Sequence, residues 1–284
     1  MKKILLGIIL LGTILLLSTL SATAVQASVS ANKVCQEGKP ECLDLVIEEM
    51  QRRYMPLLAD CDHNAVFALN YLRTTEIFQQ TASTIGYSNL ASLIRQDALF
   101  ADYYFRPFDE YQNSRDSVPK AWQITFDAAK NRAVTGSGNL ALGINAHIQR
   151  DLPFVLYELY LQGNPVSYED HTLVNKFLAQ VNPLKELADK FDPTIDDADI
   201  PGAKDDLERF QTIVQWRDLA YRNYERLRNA KSDAERAQVT FEIEQLGALT
   251  ATGLLRVFQY PSGINSSQRD AYCSSCNKTG NGSA

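Results

Sequence analysis

Two ionisable side chains at helical spacing are the first candidates for chemistry. His147 and Asp151 stand four residues apart in an apolar segment, so on an α-helix they are neighbours on one face. At about 100° per residue they share that face with Leu140, Ile144 and Val155. A carboxylate among apolar neighbours is costly unless it is paired or hydrogen-bonded. The spacing therefore predicts an imidazole and a carboxylate that act as one unit.

Three roles fit this pair, and the sequence leaves all three open. The first is an internal hydrogen bond that locks two helices together. The second is half of a metal site, in which imidazole and carboxylate bind one divalent ion and a second helix completes the ligand set. The third is an acid/base pair, in which the carboxylate orients the imidazole. In an enzyme, His147 and Asp151 would be the catalytic residues.

Asp102 is the candidate third metal ligand because it lies in an aromatic stretch that could face the helix of His147. The alternative is a surface position or an ion pair with Arg106, four residues further on. The other two histidines, His63 and His171, follow acidic residues at predicted helix starts. That position indicates exposed imidazoles beside a capping aspartate. A metal site would therefore use His147, Asp151 and Asp102.

The cysteines lie near the two ends of the sequence and none falls between residues 62 and 272. The five candidates for disulfides are Cys35, Cys42, Cys61, Cys273 and Cys276. Their distribution favours staples that fasten the ends to the body, and the odd count leaves one thiol unpaired. Cys273 and Cys276 would either close a local loop or reach one of the first three. Two other roles are possible for this Cys-x-x-Cys pair. A redox pair of this spacing normally opens a helix in a thioredoxin-like setting, and a zinc site needs further ligands.

The N-terminal residues have the order of a secretory signal peptide. Two lysines precede an apolar run over residues 4–20, and small residues follow. Cleavage sites occur after Ala27 and Ala31, with a weaker one after Ala24. We therefore predict a leader over residues 1–27 and export to the periplasm or the exterior, where disulfides form. The alternative is an uncleaved membrane anchor.

Charge excludes one class of partner. The net charge of −6 gives no electrostatic footprint for DNA or RNA. The chain also lacks the basic amphipathic face of a peripheral membrane protein, and no segment after the leader is apolar enough for a stable membrane span. The sequence identifies no other partner and no cofactor beyond the divalent metal considered above.

Helical periodicity dominates the rest of the chain. Apolar residues recur at a 3.6-residue period in nine segments, and strand signals are nearly absent. The nine predicted helices cover residues 41–59, 62–82, 88–107, a short segment after 119, 139–161, 168–181, 183–191, 203–230 and 233–260. Pro107 should end or kink the third. We predict an all-α, irregular multi-helix bundle in a single domain, residues 28–260. An acidic surface loop spans 192–202, and a polar, cysteine-containing tail spans 261–284.

The segment around the pair also carries a resemblance. Leu142-Gly143-Ile144-Asn145-Ala146-His147-Ile148-Gln149-Arg150-Asp151-Leu152-Pro153 is similar to the signature of a bacterial family catalogued only as a domain of unknown function, number 5995. Looser matches follow in order: Ala65-Val66-Phe67 with Tyr71-Leu72-Arg73-Thr74-Thr75, Phe100-Ala101-Asp102-Tyr103-Tyr104-Phe105, and Pro119-Lys120-Ala121-Trp122. The resemblance covers roughly residues 45–230 and implies an all-α fold without an established activity. Gln149, where the family pattern suggests asparagine, and the cysteine-bearing ends depart from it.

A fainter likeness links the pair to the helical zinc phospholipases C and single-strand nucleases, which are exported and use a His-x-x-x-Asp pair as zinc ligands. Those sites need several more histidines and an N-terminal tryptophan, whereas this chain has three histidines. A one- or two-metal site completed by carboxylates remains compatible. Two functions follow as hypotheses: a ligand- or partner-binding helical domain with a structural His–Asp pair, or a metal-dependent hydrolase.

Overall fold

Helices account for nearly all the regular structure in the computed structural model, which describes residues 28–196 and 206–278. The α-helices are α1 Lys33–Gln36, α2 Glu41–Ala59, α3 Ala65–Thr81, α4 Leu90–Tyr111, α5 Lys120–Lys130, α6 Gly136–Asn145, α7 Leu152–Leu161, α8 Tyr168–Leu178, α9 Leu184–Lys190, α10 Asp206–Asn229, α11 Asp233–Phe258 and α12 Ser267–Lys278. Short 3-10 helices cover Val29–Ala31, Arg115–Ser117 and Pro193–Asp196. A π-helical turn, Ala146–Asp151, joins α6 to α7.

The predicted all-α class is confirmed, since the described ranges contain a single isolated β-bridge, Val134 with Gln259, and no strand. Each of the nine predicted helices is present. The structure adds α1 and α12 and divides the predicted helix over 139–161 at the π-helical turn. The predicted leader, residues 1–27, lies outside the described residues.

Side-chain caps explain where several helices begin. Asn89 accepts a hydrogen bond from the Ser92 amide at the start of α4, at 3.0 Å. Thr135 accepts from the Gly138 amide at the start of α6, at 3.3 Å. Such caps satisfy amides that have no partner within the helix. The second cap matters for the site because it fixes the first turn of the helix that leads to His147.

Pro107 does not end α4, contrary to one of the two sequence expectations. The helix continues to Tyr111, whose ring packs on Phe126 with centroids 5.1 Å apart. The Tyr111 hydroxyl also donates to Asp127 at 2.7 Å. Proline removes one backbone hydrogen bond, and these contacts with α5 hold the last turn in place.

The C-terminal region forms a helix where the sequence suggested only a polar tail. Asn265 accepts from the Ser267 amide at 2.9 Å and so caps α12. A disulfide joins Cys61 to Cys273, and a second joins Cys35 to Cys42. The prediction of disulfides near the two ends is therefore confirmed, with Cys276 outside both bonds. The 61–273 disulfide fastens α12 to the body of the protein.

Two expectations of surface exposure near α12 are wrong. His63 is buried, because its Nε2 lies 2.8 Å from Asp270 Oδ1 and its Nδ1 lies 3.1 Å from a guanidinium nitrogen of Arg269. The start of the predicted acidic loop is also buried, since Asp192 accepts from the Gly136 amide at 2.8 Å. The rest of that loop, residues 197–202, lies outside the described residues. Both residues are buried by partners that lie far away in the sequence, which local patterns do not reveal.

The helices surround the π-helical turn. Besides α6 and α7, which continue from its two ends, the turn contacts α4, α5, α10 and α11. His147 and Asp151 are therefore carried at the centre of the helix packing. Within residues 28–196 and 206–278, none of the helices combines the length and apolar character needed to cross a membrane.

Candidate functional site

The backbone changes its hydrogen-bonding pattern at the predicted pair. Residues Ala146–Asp151 form a π-helical turn within an otherwise α-helical segment. Pro153 lies two residues after the turn, and because proline has no amide hydrogen it cannot complete an α-helical hydrogen bond one turn earlier. Turns of this kind are rare and occur often at functional sites. A proline within a predicted helix indicates an interrupted hydrogen bond, but it gives no signal for the π-helical form.

The side chains of His147 and Asp151 are in contact. Nδ1 of His147 lies 3.2 Å from Oδ2 of Asp151, and both side chains are buried. A carboxylate oxygen accepts hydrogen bonds, so the geometry places the imidazole proton on Nδ1. Nε2 then carries a lone pair. This nitrogen is buried and has no hydrogen-bond partner among the described residues.

Two further donors hold the Asp151 carboxylate. Trp122 donates its indole N–H to Oδ2 at 2.9 Å, and Arg150 donates to Oδ1 at 2.9 Å. Arg150 also donates two hydrogen bonds to Glu244 on α11, at 2.9 and 2.6 Å. The carboxylate thus receives three donors, which offset the cost of burying it. Its position fixes the tilt of the imidazole.

Aromatic rings enclose the imidazole. Phe100 stacks on it with centroids 3.5 Å apart and planes 10° apart, and the Tyr71 ring lies 4.5 Å away. Phe67 lies against its edge at 5.9 Å. Gly143 permits this approach, because a Cβ at that position would overlap the Phe67 ring. The absence of a side chain at Gly143 therefore lets α3 pack closely against α6.

This environment keeps His147 neutral at physiological pH. Burial lowers the pKa of His147 below its usual range, and the hydrogen bond to Asp151 only partly offsets that effect. A neutral imidazole with a proton on Nδ1 is an acceptor at Nε2. It can accept a hydrogen bond from a ligand, remove a proton from one, or coordinate a metal ion.

A cavity of about 550 Å³ lies beside the pair. Its volume is in the usual range for small-molecule sites. His147 belongs to its wall, and exposed Asn182 places part of the cavity at the protein surface. The lining is mostly apolar and comes from six α-helices, the π-helical turn and a loop. Its apolar and aromatic members are Phe67, Tyr71, Phe100, Leu140, Ile144, Ile148, Leu178, Val181, Pro183, Leu184, Phe210 and Ile213.

Asp102 lies neither at the surface nor in an ion pair with Arg106, the two alternatives that the sequence suggested. It is buried, and Arg106 donates to its backbone carbonyl at 3.3 Å without forming an ion pair. Its carboxylate accepts from the amides of Val29 and Ser30 at 3.0 and 2.9 Å, and from the hydroxyl of Ser28. The surface position and the Arg106 ion pair are therefore wrong. Asp102 anchors the first described residues of the chain to α4.

His171 is also buried, contrary to expectation. Its Nε2 lies 3.1 Å from the backbone oxygen of Arg217, whose guanidinium donates to the His171 backbone oxygen at 2.9 Å. Burial, aided by the charge of Arg217, lowers the pKa of His171 to about 2. The contact joins α8 to α10, and the sequence gave no signal for it because 46 residues separate the partners.

Metal-ligand candidates do not converge in the described ranges. No group of three or more His, Cys, Asp or Glu side chains is placed there to hold a metal ion. Asp151 uses its oxygens for Trp122, Arg150 and His147. An ion at Nε2 of His147 would therefore need ligands from outside the described side chains, or a rearrangement of those within them.

Several residues of the site were absent from the sequence-based candidates. Trp122 and Tyr71 stood in the family-like segments, so the resemblance was a usable signal for them. Phe100 had the same signal, being part of the aromatic stretch near Asp102. Arg150 adjoins Asp151, but nothing indicated that it would turn back to it.

The model of a family of unknown function (DUF5995) matches residues 43–257. The chain belongs to this family. The match confirms the predicted family, and the matched range includes the pair, its supporting donors and the cavity wall. No curated protein and no solved structure matches the chain.

The segment around His147 is tied to a neighbouring helix. His147 and Asp151 lie in a π-helical turn, and His147 forms part of a cavity wall. Gln149 is buried and donates to Asn145 Oδ1 at 2.9 Å. Asn145 in turn donates to the Gly247 carbonyl at 3.0 Å. These amides tie the turn to α11.

Proposed function

We propose that this protein binds a small, largely apolar molecule in the cavity beside His147. The cavity itself carries the proposal: it is large enough for such a ligand and is lined mainly by apolar and aromatic side chains. Apolar cavities of this size are uncommon in close-packed interiors unless they serve a ligand. The His147–Asp151 pair is then a fixed hydrogen-bonding element in the wall.

A single donor group on the ligand would complete the site. Nε2 of His147 is an unsatisfied acceptor, and a buried polar atom without a partner costs about 1–3 kcal/mol. A ligand hydroxyl or N–H that reaches Nε2 recovers this energy. Because Nε2 is covered in the free protein, a small shift of the neighbouring rings accompanies contact. We expect an apolar alcohol to bind better than an alkane of equal length.

Calorimetric titration with 1-octanol tests the proposal. The wild-type protein should bind it, and Ile144→Phe, which fills part of the cavity, should weaken binding at least tenfold. Leu249→Phe is the matched control, because Leu249 is 68 % exposed on α11; its affinity should be unchanged. Absence of octanol binding to the wild type, or equal binding by Ile144→Phe, would overturn the proposal.

Metal-dependent hydrolysis is the second candidate. One observation favours it: a histidine whose first ring nitrogen is held by a carboxylate has the geometry of many metal ligands. The occupied oxygens of Asp151 and Asp102 argue against these two residues as further ligands. Elemental analysis of the purified protein distinguishes the two candidate functions, since one equivalent of tightly bound zinc would favour the hydrolase.

We also propose that the protein is exported. Two disulfides support this, because such bonds persist in oxidising compartments. The order of charged, apolar and small residues at the N-terminus points the same way. Fractionation of the producing cells, with the protein found outside the cytoplasm in shortened form, is the test.

A further inference from the structure

A small side chamber adjoins the ligand cavity. It has a volume of about 70 Å³ and shares Tyr71, Thr74, Phe100, Leu178 and Arg217 with the larger cavity. A volume of this size holds a few water molecules or one small polar group. A ligand in the larger cavity could therefore extend a head group into the chamber.

The polar atoms of this chamber are mostly acceptors. The hydroxyl of Tyr71, Oε1 of Gln96 and Oδ2 of Asp97 are buried and have no hydrogen-bond partner among the described residues. Buried polar groups are normally paired, and exceptions need a physical reason. All three oxygens can accept a hydrogen bond, and the Tyr71 hydroxyl can also donate one. A ligand group that donates several hydrogen bonds would therefore satisfy them.

Asp97 adds negative charge to the chamber. Asp97 lines the chamber as a half-buried residue, and its Oδ2 atom is buried. Burial raises the pKa of this carboxyl to about 7, so it is largely ionised at pH 8. Burial is the one cause of this shift, and no cation in the described ranges forms an ion pair with Asp97. A cationic ligand would offset this burial cost.

Aromatic rings complete the chamber. Phe78, Phe100, Phe177 and Tyr71 line it, with Phe78 and Phe177 5.6 Å apart and Tyr71 and Phe100 6.0 Å apart. Ring faces attract cations. Aromatic walls around a carboxylate are therefore suited to an ammonium group.

Arg217 is the one cation in the chamber wall within the described ranges, and its charge opposes a second cation. Its guanidinium is turned toward α8, donating to Asn175 Oδ1 and the His171 carbonyl, each at 2.9 Å. Burial lowers the pKa of Arg217 to about 10, so it remains charged. The attraction must therefore come from Asp97 at short range, with the rings and the two neutral oxygens contributing.

We propose that the ligand carries a primary amine, whose ammonium group enters the side chamber and pairs with Asp97 while the apolar body fills the larger cavity. This inference rests on the proposed binding function and narrows its ligand class to apolar amines. It makes Asp97 and Tyr71 the residues that select the head group. Asp97 should keep carboxylate head groups out of the side chamber, although Arg209 and Arg217 line the larger cavity.

Parallel titrations at pH 8 with 1-octylamine, 1-octanol and octanoate test the inference. The wild type should bind the amine at least tenfold more tightly than the alcohol, and octanoate should bind more weakly than both. In Asp97→Asn the amine and the alcohol should bind equally. Asp116→Asn is the matched control, because the Asp116 side chain is 95 % exposed; it should keep the preference.

A second variant tests the inference independently, in case Asp97→Asn fails to fold. Val174 lines the chamber but not the larger cavity, so Val174→Phe should abolish the amine preference and retain octanol binding. Octanol binding without an amine preference in the wild type would overturn this inference and leave the proposed function standing. Failure of all three compounds to bind would overturn both.

Discussion

The imidazole of His147 lies flat against the ring of Phe100, with centroids 3.5 Å apart. One face of the imidazole is thereby covered, and Nδ1 is engaged by Asp151. The remaining nitrogen, Nε2, is the polar atom through which this residue can act.

The Asp151 carboxylate should be a major determinant of stability. In Asp151→Asn, the new amide N–H₂ would face donors from Trp122, Arg150 or His147. Removing one partner from a buried charged network costs about 3 kcal/mol or more. We expect the free energy of unfolding in urea to fall by that amount. The exposed Asp116→Asn should change it by less than about 0.5 kcal/mol; equal effects would refute the network.

Gly143 should tolerate no side chain. In Gly143→Ala the added Cβ overlaps the Phe67 ring, and overpacking of this kind costs about 1–3 kcal/mol. Gly253→Ala is the matched control, since a Cβ at that helical position meets nothing within 4 Å. It should stabilise the protein by up to about 1 kcal/mol. Thermal unfolding of both variants checks the prediction, which fails if they shift in the same direction.

Stability should fall as the pH drops from about 6.5 toward 4. Burial lowers the pKa of His147 and His171, and lowers that of His63 to about 4. The unfolded chain, whose histidines titrate near 6.5, then binds more protons than the folded one. Each such proton contributes about 1.4 kcal/mol per pH unit. The loss is complete for His63 near pH 4.

Asp97 opposes this trend, because burial raises its pKa to about 7 and the folded protein takes up its proton first. On unfolding between these pH values, each of the three histidines takes up a proton and Asp97 releases one, so the net uptake is at most two protons. The free energy of unfolding then changes by at most about 3 kcal/mol per pH unit. Asp97→Asn should make the pH dependence between 4.5 and 6.5 steeper. A shallower or unchanged slope in urea titrations would contradict the assignment.

Residues 28–30 bear on where the proposed leader would be removed. Val29 is buried, and its amide and that of Ser30 donate to Asp102. Cleavage after Ala31 would discard these contacts, whereas cleavage after Ala27 preserves them. We expect mass spectrometry of the exported protein to find Ser28 at its N-terminus. Recovery of a stable form beginning at Asn32 would show that the Asp102 anchor is dispensable.

Local patterns in the sequence predicted much of the fold. Apolar periodicity located nine helices, and the i,i+4 spacing of His147 and Asp151 predicted their contact, because both signals lie within one helix. Contacts between distant segments had no such signal. The pairing of His63 with Asp270 spans 207 residues, and it turned an expected surface histidine into a buried one.

The same limit applies to the candidate site. Asp102 was chosen for its aromatic neighbours, but its partners are residues 72 to 74 positions earlier in the chain. Trp122 reaches Asp151 across 29 residues, and the side chamber forms only where α3, α4, α8 and α10 meet. A cavity depends on packing among several helices, and no single segment encodes it.

The most direct test is a long-range ¹H–¹⁵N spectrum of the His147 imidazole at pH 7, with and without saturating 1-octanol, assigned with His63 and His171 variants. We expect a neutral ring protonated at Nδ1 in both states, and an Nε2 resonance that shifts when octanol binds. A proton on Nε2 in the free protein, or an Nε2 resonance that stays unchanged while octanol is bound, would contradict the proposed role of His147.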